Sequence, residues 1–105
     1  MGMADIFQPF VSQNVNVTTS SQAVELEFPP TLPHTVRIGI PAGGSDIFIR
    51  FGADNTIEAD ATTCMRVYAG QPPEIFRAPN NHSYIALIAA TAGVNGVNIT
   101  TGTGN

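Results

Sequence analysis

A chain of 105 residues with a net charge of −4 and one cysteine has the length of a single domain. It can bury about two-thirds of its unfolded surface without a metal, and no internal disulfide is open to it. Its four arginines are spread over four segments with no lysine anywhere, so no basic patch offers itself to nucleic acid, and its longest apolar run is strand-sized, too short to cross a bilayer.

The first residues, Met1-Gly2-Met3-Ala4-Asp5-Ile6, lack a basic segment followed by an apolar core, which predicts synthesis without a secretory leader. Residues 1–13 carry Ile6, Phe7, Pro9, Phe10 and Val11 without alternation. They read as an N-terminal arm that packs on this domain or on a neighbour. From there strand and turn signals alternate. Val15 and Val17 alternate with Asn and Thr. Val24, Leu26 and Phe28 alternate with Glu25 and Glu27, one dry face and one wet face, until Pro29-Pro30 removes two ladder donors. Val36, Ile38 and Ile40 form the next alternating set, closed by a Pro-Ala-Gly-Gly-Ser turn. Residues 46–52 put Ile47, Ile49 and Phe51 on one face and Phe48 and Arg50 on the other.

Residues 53–63 are polar and acidic and read as a longer connection. Residues 64–69 and 74–78 are short strands, each ended by a Pro-containing turn. Residues 82–90 form a strand apolar on both faces, and residues 94–100 a weaker last one. The pattern predicts an all-β fold, a small β-sandwich or jelly-roll-like barrel of about seven to eight short strands. Its expected parts are the arm at 1–13, the sandwich at 14–100 and a flexible tail at 101–105.

Each arginine sits inside an apolar run: Val36-Arg37-Ile38, Ile49-Arg50-Phe51, Met65-Arg66-Val67 and Phe76-Arg77-Ala78. Soluble β proteins use surface lysine to keep strand edges from pairing with other chains. This chain has none, and its 11% of charged residues is about half the usual share. Phe48 and Phe76 each point away from neighbouring apolar residues, so a second apolar face needs a cover. The expectation is a partner surface rather than the chain's own loops. Its candidate residues are Phe7, Phe10, Phe48, Arg50, Phe76 and Arg77, because arginine stems pack on apolar surface while the heads pair with carboxylates.

No catalytic signature competes with this reading. His34 and His82 lie beside turns, and no nucleophile elbow accompanies them. Asp54, Glu58 and Asp60 share one loop without the spacing of a calcium site. Cys64 reads as a small hydrophobe rather than a nucleophile. The expectation is a non-enzyme with no catalytic or metal-binding residue and no cofactor.

Several runs taken together carry a resemblance. They are Val36-Arg37-Ile38; Ile47-Phe48-Ile49-Arg50-Phe51-Gly52; Met65-Arg66-Val67-Tyr68-Ala69-Gly70; Glu74-Ile75-Phe76; Tyr84-Ile85-Ala86-Leu87-Ile88-Ala89-Ala90; and the Gly/Thr-rich end. Over residues 35–104 the order resembles small structural proteins of tailed-bacteriophage virions, of the capsid decoration or cement type. The resemblance implies a sandwich or jelly-roll subunit, dimeric or trimeric, made in the bacterial host cytoplasm. It would sit on the outer surface of the capsid and bind the major capsid protein, with no nucleic acid or membrane partner. It carries over no site residue. The alternative is a receptor- or glycan-binding module of a tail or head fibre, against which the absence of Trp and the presence of only Tyr68 and Tyr84 count.

Overall fold

Alternation gives each strand an inner and an outer face, and the computed structural model, which describes residues 7–104, stacks the inner faces on one another. The strands are β1 (Gln8–Val17), β2 (Gln22–Glu25), β3 (His34–Gly39), β4 (Ile47–Gly52), β5 (Met65–Val67), β6 (Glu74–Arg77), β7 (Tyr84–Ala89) and β8 (Val94–Thr103). Among the described residues there is no helix. One sheet runs β1-β8-β3-β6 and the other β2-β7-β4-β5, all antiparallel. In pairs, β1 lies with β8, β2 with β7, β3 with β6 and β4 with β5. A single long hairpin wound into two layers in this way is a jelly roll.

Cross-strand register decides what meets in the core. Ile38 faces Ile99 across β3–β8, and Ile49 faces Leu87 across β4–β7. All four are at most 1% exposed. Each such burial contributes about 1.5–3 kcal/mol, and Val17, Val36, Ile47, Ile85 and Val97 are buried as deeply.

The expected boundaries shift at both ends. Residues 8–13 of the expected arm are strand, paired with β8; residues 1–6, with Ile6, lie outside the described ones. β8 reaches Thr103, inside the expected tail, because Gln8 and His34 pair with Thr103 from either side. β2 stops at Glu25, before Leu26 and Phe28, although the Leu26 N–H still donates to the Ser83 carbonyl at 2.7 Å. Phe76 lies opposite Val36 and packs on the core, with Ile75 and Arg77 turned outward. Alternation separates two faces of a strand but cannot say which one is inner.

Candidate interaction face

All four arginines project from the outer faces of the sheets, and the chain treats them in two ways. Arg50 and Arg66, on β4 and β5 of the second sheet, are engaged within the chain. Arg50 pairs with Asp60 at 3.8 Å and donates to the Glu58 carbonyl at 3.3 Å and to the Thr63 hydroxyl. Arg66 donates twice to one oxygen of Asp46, at 2.9 and 2.6 Å. Its guanidinium lies 5.3 Å from the Phe48 ring centre and 5.2 Å from that of Tyr68, a cation between two π faces. The other Asp46 oxygen accepts the Ala69 N–H at 2.7 Å. That backbone hydrogen bond, with Arg66 behind it, holds the Asp46 carboxyl below its ordinary pKa.

The acidic connection lies over the same face. Ile57 fills the space above Gly52, where a Cβ would stand 2.5 Å from the Ile57 Cβ. The Ala59 N–H donates to the Ser21 hydroxyl at 2.8 Å, beside β2. Asp54 and Asp60 tie the loop to itself. Asp60 accepts the Thr62 and Thr63 amides at 2.8 and 2.7 Å, and these, with Thr63 first, push its pKa down. The Thr56 hydroxyl and then its amide do the same to Asp54. These carboxylates hold the loop's shape. Phe48, with the Arg66 guanidinium over its ring, is only 7% exposed, so the chain itself covers this apolar residue, contrary to the expectation that a partner covers it. Arg50 is held in the same way.

The outer face of the first sheet is different. Thr35 stands opposite Arg77, and Arg37 opposite Ile75 on one side and Thr100 on the other. Arg37 and Arg77 are exposed, and neither makes an ion pair or a side-chain hydrogen bond among the described residues. No outward position of these four strands carries an acid.

Small polar side chains pave the rest. Ser12 and Thr100 meet at 2.5 Å, Thr100 donates to Asn98 at 2.8 Å, and Asn98 donates to Asn14 at 3.2 Å. At one end the Phe7 ring lies over Gly102, 2.8 Å from where a Cβ would stand. Beside it the buried Thr35 hydroxyl has no partner among the described residues. Phe10 occupies the register shift between Pro9 and Val11 and is 50% exposed. Of the six expected interface residues, Phe7 and Arg77 therefore share this face, with Phe10 at its β1 edge. Phe48 and Arg50 lie on the opposite sheet and Phe76 packs on the core. Arg37 was visible as an outward residue, but only register brings it beside Arg77.

His34 and His82 come together in a cavity of about 320 Å³ lined also by Leu26, Phe28, Asn81 and Ser83. The His34 ring stacks on Phe28 at 4.4 Å. His34 Nε2 bonds the Pro29 carbonyl at 3.0 Å and His82 Nδ1 the Asn80 carbonyl at 3.1 Å, so each is turned to main chain rather than to a serine or aspartate. Cys64 is half-buried, its Sγ accepting the Asp60 N–H at 3.2 Å. Among the described residues no three His, Cys, Asp or Glu side chains gather as a metal site. The chain matches no protein-family model, no curated protein and no solved structure.

Proposed function

We propose that this protein is a non-enzymatic structural subunit of a tailed-bacteriophage virion. It decorates or cements the capsid and binds the major capsid protein on the outer surface of the shell as a small homo-oligomer, a dimer or trimer. The observation that carries this reading is the outer face of the first sheet: no acid at its outward positions, and Arg37 and Arg77 without a partner among the described residues. Arginine without an internal partner on a surface of small hydroxyl and amide groups suits a carboxylate-bearing protein surface. Viral capsid domains are one group that uses the jelly roll, and that support is analogy, since fold does not fix function. The resemblance over residues 35–104 points the same way. The test is co-sedimentation of the purified chain with capsid shells that lack it. Saturable binding that stabilises the shells against heat is expected; no binding at micromolar concentration would remove the reading.

A further inference from the structure

The connection from β5 to β6 carries the chain from one sheet to the other, and it builds a groove the shell-binding reading does not use. Tyr68, Gln71, Pro72, Pro73 and Glu74 line it, with a volume of about 450 Å³, within the ordinary range of small-ligand sites. Both walls are fixed. Asp46 grips the chain on either side of Tyr68, through Arg66 and the Ala69 amide, and the Arg66 guanidinium lies against the Tyr68 ring. The ring nevertheless remains 54% exposed. Opposite, Pro73 is seated on Gly39 of β3, where an added Cβ would lie 3.3 Å from its Cγ. Gly70, at φ 76°, makes the bend between the walls, a conformation that favours glycine.

We infer that this groove binds a pyranose sugar, with the Tyr68 ring as its stacking platform and Gln71 and Glu74 bonding its hydroxyls. A sugar ring offers an apolar C–H face beside hydroxyls that both donate and accept. The groove offers the complement: a rigid aromatic face, an amide that donates and accepts, a carboxylate that accepts and a phenol that does both. Other ligand classes fit less well. Glu74 repels a phosphate or other anion, and Arg66, the nearby cation, is already paired with Asp46. A single carboxylate is too few for a metal ion. The Pro73 wall borders the proposed shell-binding face, since Gly39 beneath it pairs with Asn98, but Tyr68 follows β5 of the other sheet, so Tyr68→Ala tests sugar binding without touching Arg37 or Arg77.

The experiment is a titration of the 15N-labelled full chain with the methyl pyranosides of glucose, galactose, mannose and N-acetylglucosamine, followed by amide chemical shifts. At least one sugar should move the amides of residues 68–71 and 74 in a saturable way. Tyr68→Phe, which keeps the stacking face and loses one hydroxyl partner, should weaken that affinity less than Tyr68→Ala, which weakens it about tenfold. Glu74→Gln, at an exposed strand end, should weaken it without changing the remainder of the spectrum. The inference is overturned if no sugar of the panel moves these amides, or if the shifts persist unchanged in Tyr68→Ala. A proline-rich peptide moving them where no sugar does would overturn it too.

Discussion

Arg66 and Arg77 share a residue type and an apolar setting, but their surroundings separate them, and so should their substitutions. Phe48 lies under Arg66 with 7% of its surface exposed, so Phe48→Ala should open a cavity and cost about 3 kcal/mol of stability. Arg77, exposed and without a partner among the described residues, should change stability by less than about 0.5 kcal/mol on conversion to alanine. Urea unfolding of both variants checks the contrast, and equal losses would contradict it. The carboxylates add a pH dependence. Asp46, Asp54 and Asp60 all have folded pKa values below the ordinary one. A group depressed on folding stabilises above its unfolded pKa, near 4, and loses that contribution as pH falls through its folded value. Melting temperature should therefore hold from about pH 7 down to about pH 5 and decline below about pH 4. Asp60→Asn should lower the plateau and shallow the acid decline; a profile flat to pH 2 in the parent chain would contradict the account.

At the scale of elements, the connection between β4 and β5 is where sequence and structure part most. Its polar, acidic composition reads as a solvated link, yet Ile57 caps Gly52 and Ala59 is 6% exposed. The contact begins at the Ile57 Cβ, close to the backbone, so a side chain at residue 52 cannot be accommodated by swinging a flexible tip aside. Gly52→Ala should lift the loop, lower the melting temperature and open residues 53–63 to limited proteolysis; unchanged protease resistance would show that the loop does not rest there. One isoleucine and three alanines in a polar run carry too little periodicity to announce such a lid. Alternation did reveal the strands, because period-two burial is local and survives in the sequence of Val36-Arg37-Ile38 or Ile47-Phe48-Ile49. Neighbours in the sheet are not local. Nothing in β1 names β8 as its partner, and therefore nothing in the sequence could separate Arg37 and Arg77 from Arg50 and Arg66. The candidate face became legible only with register.

For the whole molecule, the distribution of charge matters more than its sum. The chain carries −4, yet the outward positions of the first sheet hold two arginines without a partner among the described residues and no acid, while Glu74 stands at the start of β6, Glu25 and Glu27 lie beside the β1 edge, and Asp54 and Glu58 lie in the 53–63 connection. Such a locally cationic face favours an acidic partner surface, since complementary potentials set orientation and encounter rate. Reversing both charges, Arg37→Glu with Arg77→Glu, should leave the melting temperature nearly unchanged, because neither side chain is bonded among the described residues. Binding to capsid shells should fall at least about tenfold, and in the parent chain it should weaken as salt shortens the reach of exposed charges. Light scattering separates the two kinds of contact. If the same face also joined copies of the chain, the double variant would lose its oligomer together with shell binding. An oligomer that survives while shell binding is lost assigns the arginine face to the capsid and moves self-association elsewhere, to the β1 edge where Phe10 stands exposed. Shell binding undiminished by the double reversal would remove this face as the contact.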